Sequence, residues 1–520
     1  MGRNRLRCRG FFSGMGAGRA HRAGFALAAL GAAASAWAAA AALGSPATGE
    51  TGPAQAAAAP AKCEQACQDR RREKQRALRR RNAKQKRPNV IVIDTDDQNV
   101  GDMFVMRKTL ALLAGKGTTF ENSYVSYPLC CPSRATQLTG QYAHNHGVVT
   151  DNQYGALDNT NTLAVWLRNA KYRTAMVGKY LNGYGVVNRR EIPPGWTQWY
   201  GLTGGTEQKR YAFNMNENGK LVYYPRKPQN YIDYVLNAKV NGLLKTWAPS
   251  PKPFFLYYNP NNPHGERALP PWSTRDPEPA PQYLGVLGDL TNPRTPNFNE
   301  PDMSDKPEQI QQIPKLSDDL IADLDRRYRG RLESLLSVDD EVKRIVGLVK
   351  KYGDKRKTFI IFTSDNGLEM GGHRIQFKNF LYEEGERVPL IIRGPDVPQG
   401  VTRDQLVANI DLAPTIAAIT KARPLRVMDG INLLPLTKDS TAQIGRDILF
   451  ESTDLNIYGL RRGSWSYNRY SNGDEELYNL NTDPYQLDSL GEDPAYADLR
   501  ASLAAELAQL KTCSGANCHP

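Results

Sequence analysis

What the chain lacks narrows its class before any motif is read. Beyond residue 44 no segment is long and apolar enough to cross a bilayer. Net charge is also missing from most of its length. The formal charge is +13, but residues 1–87 hold 18 Lys and Arg against 4 Asp and Glu, so the other 433 residues sum to −1. A surface that steers a polyanion carries its charge on the folded body, so no nucleic-acid partner is expected. Cysteine is scarce, seven in 520 residues, and none follows the N-terminal apolar run closely enough to suggest a lipid attachment site. With 40% hydrophobic and 23% charged residues the composition is that of a soluble globular protein. The length exceeds one compact core of ordinary size, so one large domain plus a smaller one is expected.

What is present begins with an N-terminal leader. Arg3, Arg5, Arg7, Arg9, Arg19 and Arg22 precede "FALAALGAAASAWAAAAALG" (25–44), which offers several A-x-A cleavage options. Residues 1–44 therefore read as a signal peptide. The run has the length of a membrane anchor, but alanine is only weakly apolar, which favours cleavage. The mature chain would then be secreted or held at the cell surface, with no membrane span. Residues 45–87 read as a flexible basic linker, Ala/Pro/Gly-rich at first and then strongly basic. Its basic part is a solvated tail or an adhesive for an anionic wall or polysaccharide. Cys8 leaves with the leader. In an oxidising compartment Cys63, Cys67, Cys513 and Cys518 can form two bridges, the local pairs 63–67 and 513–518 being easiest to close. A four-thiolate zinc site is the alternative. Cys130 and Cys131 remain in the body.

The body alternates short apolar runs with helical stretches. "RPNVIVIDTDDQ" (87–98) reads as a buried parallel strand, and similar runs recur at 173–180, 252–260, 357–367 and 387–394. Helical patterns lie at 161–170 and 331–353. This alternation predicts an α/β sheet, with chemistry beyond the carboxyl ends of its strands. There stand Asp96, Asp97, Lys179, His264, Asp365 and Asn366. Residues 267–316, rich in proline and polar residues, read as a long loop, functional or disordered. From 441 the pattern suggests short antiparallel strands and a closing helix at 496–513.

Asp96, Asp97, Asp365 and Asn366 are hard oxygen donors, suited to Ca²⁺ or Mg²⁺ rather than zinc. "LCCPSRATQLTG" (129–140) adds two thiols before a proline and a cation. Buried inert cysteine, thiolate nucleophile and redox pair are the readings open from the residues alone. A thiol nucleophile would need a base, and a thiolate is a poor companion for a calcium-type cluster.

The pattern C-x-P-S-R-x-x-x-L-T-G at 130–140 resembles the signature of the type I sulfatases, in which the first cysteine is oxidised to formylglycine. Further matching stretches are "SYVSYPLCCPSRATQLTGQYAHNHGVV", "GKYLNGYG", "LLSVDDEV", "FTSDNG", "LYEEGERVPLIIRGP" and "ELYNLNTDPYQ", most similar to N-acetylglucosamine-6-sulfatases and their endosulfatase relatives. The resemblance implies an alkaline-phosphatase-like α/β sandwich: a large mixed, mostly parallel sheet between helices, plus a small C-terminal antiparallel sheet with a helix. Residues 88–440 would be the catalytic domain and 441–520 a C-terminal subdomain. It further implies formylglycine at Cys130, made by a formylglycine-generating enzyme, and one Ca²⁺, in preference to Mg²⁺, held by Asp96, Asp97, residue 130, Asp365 and Asn366. Arg134 would hold the aldehyde hydrate, Lys179 and Lys378 the sulfate oxygens, and His264 the ester oxygen, with Asp365 accepting the attacking proton. Leu181 stands where many sulfatases carry a histidine, so His144 and His146 are candidate bases for sulfate elimination or, equally, supports of their loop. His373 lines the pocket or is a surface residue; Asp339 and Asp340 are expected to be structural or to support the site's ligands from behind. The implied substrate is a sulfate-ester small molecule or sulfated glycan. A phosphonate monoester or phosphodiester hydrolase and a catalytically silent binder of sulfated glycans are the alternatives.

Overall fold

The computed structural model describes residues 87–267, 274–353, 357–442 and 444–519, together with Glu73. The expected signal peptide, nearly all of the basic linker, and Cys63 and Cys67 lie outside the described residues. Ten strands form one sheet: β1 (Asn89–Thr95), β2 (Thr118–Phe120), β3 (Arg173–Gly178), β4 (Gln198–Thr203), β5 (Phe213–Glu217), β6 (Lys220–Tyr224), β7 (Phe254–Asn259), β8 (Thr358–Ser364), β9 (Leu390–Arg393) and β10 (Val401–Arg403). Across the sheet they run β10-β2-β9-β8-β1-β7-β3-β4-β5-β6. The central strands β8, β1, β7, β3 and β4 are parallel.

Every residue of β1 and β8 is buried. That follows from helices covering both faces, which is why these strands read as unbroken apolar runs. On one face Ile91 and Ile93 pack with α3 (Ile232–Trp247) and the long α4 (Asp318–Tyr352). On the other, Val90 and Val92 pack with α1 (Cys130–Thr139), α2 (Leu163–Asn169) and α5 (Leu412–Thr420). A separate antiparallel meander, β11 (Ile448–Ser452), β12 (Ile457–Arg462), β13 (Trp465–Tyr470) and β14 (Glu475–Asn479), is closed by α6 (Ala497–Leu510). The large mixed sheet with a small C-terminal antiparallel sheet is the expected fold class. Cys513 and Cys518 form a disulfide, which removes two thiols from the four-thiolate zinc alternative.

Two readings of the sequence are corrected and a third is narrowed. The run at 387–394 forms β9, antiparallel to β8 and to β2; burial on both faces sets its composition but not its direction. Helix α4 begins at Asp318, not 331, with the Ser317 hydroxyl accepting from the amide of Leu320 at 3.3 Å and Asp318 and Asp319 in its first turn. The described part of 267–316 is folded back on the body: the carbonyl of Asn297 accepts from His373 N, and Phe298 bridges to Gly372.

Candidate active site

Register brings the site together. Thr95 of β1 pairs with Ser364 of β8, so Asp96 and Asp365 leave neighbouring strand ends side by side, and Asp365 N donates to the Thr95 carbonyl. Gly178 of β3 pairs with Asn259 of β7, which sets Lys179 beside the same edge. Gly178 has φ +117°, and a Cβ there would overlap the Asn259 carbonyl oxygen, so only glycine serves.

The motif residues dock α1 against this edge. Cys130 opens the helix and Pro132 sits in its first turn, where no amide donor is needed. Ser133 donates to the backbone carbonyl of Asp365, and Arg134 Nε donates to its carboxylate at 2.8 Å. Leu138 enters the core, and Gly140 ends the helix with φ +71°. The spacing thus encodes one helix pinned by its first turns to the loop after β8. Its amino end faces the acidic cluster.

Cys130 is buried. Its Sγ lies 2.7 Å from Lys378 Nζ, 3.4 Å from Asp96 Oδ1 and 3.8 Å from Asp97 Oδ1. Burial, reinforced by Asp365, pushes its thiol well above the ordinary range, against the opposing pull of Lys179 and Lys378, which disfavours the thiolate form. Lys179 Nζ sits 2.7 Å from Asp96 Oδ2, and Lys378 also binds Asp97 Oδ1. Burial alone would raise Asp96 and Asp97. Lys179 with His264 and Arg134 overcomes this at Asp96, and Lys378 with His264 at Asp97, holding both well below the usual carboxylate range.

Asp96, Asp97, Cys130 and His264 place ligand atoms within 4.8 Å of one another, the one such group among the described residues. Asp365 Oδ1 accepts from the amides of Asp97 and Asn366. Asn366 gives its Nδ2 protons to Asp97 and Gly367, while its Oδ1 is buried without a hydrogen-bond partner. A buried amide oxygen left so costs about 1–3 kcal/mol, and beside three carboxylates it fits a hard cation.

Two roles implied by the resemblance meet a different geometry. Arg134 is wholly buried, paired with Asp365 and, at 3.4 Å, Asp94; its Nη2 has no hydrogen-bond partner. It makes no hydrogen bond to Cys130. His144 and His146 are not gathered with the cluster. His144 Nδ1 lies 3.0 Å from Glu451 Oε1 and its Nε2 3.0 Å from the Cys513 carbonyl. His146 meets Thr136 and the Val148 amide, and burial lowers its pKa to about 3. Among the described residues, His264 is the histidine whose ring reaches the cluster, with Nε2 3.6 Å from Asp97 Oδ2. His373 is buried between Glu300 and Tyr382, and Asp339 caps the backbone at Lys108 and Thr109, a structural role.

Residues beneath the site went unread in the sequence. Asp94 accepts from Gln137 and Tyr257, both at 3.1 Å, and burial raises its pKa to about 7. A lone carboxylate inside the apolar run "VIVID" was the available signal. Arg331 of α4 supports Asp97 by donating to its backbone carbonyl at 2.6 Å.

Residues 88–422 match the Sulfatase family, and residues 371–513 match N-sulphoglucosamine sulphohydrolase, C-terminal. The chain belongs to the sulfatase family, the sulfuric ester hydrolases. It is 32% identical over 492 residues to N-acetylglucosamine-6-sulfatase of Capra hircus, covering 83% of this chain and 85% of that one. The Homo sapiens N-acetylglucosamine-6-sulfatase is also 32% identical over 492 residues, covering 83% and 86%. Among solved structures, one in complex with its substrate D-Glucosamine-2-N, 6-O-disulfate superposes with a TM-score of 0.68 at 24% identity, covering 82% of this chain and 98% of that one. The phosphonate monoester hydrolase of Agrobacterium radiobacter superposes with a TM-score of 0.64 at 20% identity, covering 82% and 95%. These two likenesses concern the fold.

Proposed function

We propose that the chain is an exported sulfatase that hydrolyses sulfate monoesters of sugars, of the 6-sulfated glucosamine class, with residue 130 converted to formylglycine. The observation that carries this reading is the setting of Cys130 at the amino end of α1. Its Sγ is 2.7 Å from Lys378 Nζ and 3.4 Å from Asp96 Oδ1, inside a cluster of carboxylates with one unpaired amide oxygen. Asp96, Asp97, Asp365 and Asn366 would hold the divalent ion, Ca²⁺ in preference to Mg²⁺. Bound there, the ion supplies Lewis acidity to a sulfate oxygen and to the hydroxyl of the aldehyde hydrate.

The chain's own groups divide the remaining work. Three aspartates, at 96, 97 and 365, face three cations, Arg134, Lys179 and Lys378, so the protein charges alone nearly cancel. A divalent ion leaves a positive surplus for an anionic ester. Lys179 reaches the cluster at Asp96 and Lys378 at Asp97 and Cys130, and the two can clamp sulfate oxygens. Arg134 Nη2 remains to hold a hydrate oxygen, while its Nε fixes Asp365 to take the attacking hydroxyl's proton. His264 directs Nδ1 at the Gly265 carbonyl, which puts the neutral ring's proton there and leaves Nε2, beside Asp97, as the lone-pair atom that can take up a proton and pass it on. No helix among the described residues is long and apolar enough to cross a membrane. Export rests on the leader's sequence.

Peptide mass analysis across Cys130 is the first test, with aldehyde expected at 130 and an intact thiol at 131. Parallel turnover of a nitrophenyl sulfate, 6-sulfated N-acetylglucosamine and a phosphonate monoester then separates the chemistries. Sulfate release is expected; preference for the phosphonate, or an unmodified Cys130 in inactive mature protein, would reject the reading.

A further inference from the structure

Between the C-terminal meander and α6 lies a groove of about 540 Å³, within the size range of small-molecule sites. Strands β12 and β13 and the last turns of α6 form its walls. It is a separate place from the reactive cluster. Gly459 of β12 faces the catalytic domain, since a Cβ there would stand 3.0 Å from Leu381 Cδ1. Successive strand residues point to opposite faces, so Tyr458 turns the other way, into the groove.

Two cations line the groove, Arg469 and Lys511, and no Asp or Glu is among its lining residues. Arg469 stands directly opposite Tyr458 across the ladder, about 5 Å away at Cβ. Its side chain is 52% exposed, and its carboxylate neighbour Glu475 is 3.9 Å off. Glu475 is drawn to Arg500 at 3.6 Å and to the Tyr467 hydroxyl at 2.7 Å. Lys511 Nζ lies 3.8 Å from the centre of the Tyr458 ring. That contact holds the ammonium in place without neutralising it. Glu451, opposite Tyr458 on β11, is buried and spends its oxygens on the amide of Ala143 and on the amide and ring of His144. Both cations are therefore left for a ligand.

The rest of the lining narrows the ligand. Leu507 and Ala508 give an apolar floor, and Ser471 and Thr512 add hydroxyls. Cations, hydroxyls and a small apolar surface complement a sugar that carries a sulfate or carboxylate, its ring hydroxyls and its C–H face. We infer that this groove is a second glycan site, which holds an anionic sugar of a sulfated chain through Arg469 and Lys511. The identity of that chain rests on the sulfatase reading. Such a site retains a polymer while its esters are cleaved elsewhere on the molecule, and does nothing for a single small ester.

The binding test uses full-length Cys130→Ala protein, so that no ester is consumed. It is titrated calorimetrically with a heparin tetrasaccharide, the same tetrasaccharide stripped of sulfate, and polyglutamate of matched charge. The sulfated sugar should bind about tenfold or more tighter than either control. Adding Arg469→Ser and Lys511→Ser should weaken it by about the same factor with an unchanged melting curve, whereas adding Lys378→Ala should not. In the modified enzyme, the double groove variant should turn over nitrophenyl sulfate at the wild-type rate and raise KM for a sulfated polysaccharide. Tetrasaccharide binding unchanged by the groove variant, or abolished by Lys378→Ala, would overturn the site. So would polyglutamate binding as tightly, which would make it a site for acidic peptides. Groove-dependent binding in a protein that cleaves no sulfate would reject the sulfatase reading and keep the groove.

Discussion

At the scale of single residues, two adjacent thiols are given different fates by position alone. Cys130 faces Lys378 and Asp96, whereas Cys131 points into the core beside Ala135 and Leu138 and donates to the Asn182 carbonyl at 3.4 Å. Cys130→Ala should abolish turnover with an unchanged melting curve. Cys131→Ser should keep substantial turnover while losing about 1–3 kcal/mol of stability, because a hydroxyl replaces a small apolar group. Turnover and thermal melts of both variants decide the matter, and the reverse pattern would move the reactive position to 131. The motif made Cys130, Ser133 and Arg134 legible because their partners follow from a fixed helical spacing. For His144 the sequence left two readings open, base or loop support. What holds His144, Glu451 and the carbonyl of Cys513, comes from more than 300 residues further on. No local pattern announces such partners.

Elements carry a second kind of prediction. Strand ends define the site, and the end of β3 depends on Gly178. Gly178→Ala should cost about 3 kcal/mol or more, from the positive φ and the clash with Asn259. Low soluble yield, or folded protein with at least tenfold less turnover, is the expected result. Between α3 and α4, Glu341 is buried with Oε1 unpartnered and a weak contact from Asn241 at 3.4 Å. Burial, against Arg344, raises its pKa to about 8, above an unfolded value of 4.5. The folded state therefore resists losing this proton. The cost is absent below pH 4.5, grows between 4.5 and 8, and is constant above. Glu341→Gln should leave stability nearly unchanged near pH 4.5 and add about 4 kcal/mol at pH 8. Melting temperatures of both proteins at the two pH values check the sign. Strand positions were readable because burial on both faces dictates composition. The reversed direction of β9 was not, since composition is the same either way.

For the molecule as a whole, one core cluster joins residues on both sides of position 440. Tyr124, Tyr142, Leu381 and Tyr382 pack in one cluster with Leu449, Phe450, Tyr467 and Leu503. Arg446 is buried against Asp411, and Glu451 accepts the Ala143 amide at 2.8 Å. A chain cut after 440 should be insoluble or rapidly proteolysed rather than a working catalytic core, as limited proteolysis of the truncated product would show. The same long-range closure bears on how the protein matures. Cys130 is 1% exposed, and Lys378, which covers it, enters the chain 248 residues later. A modifying enzyme cannot grip a thiol sealed in this way. On the proposed formylglycine reading, conversion of residue 130 would be confined to the interval between its emergence and the arrival of the segment bearing Asp365 and Lys378. Faster folding would shorten that interval, so on the same reading the yield of active protein would be set by a race between chemistry and closure, and a slower folder would be the more active preparation.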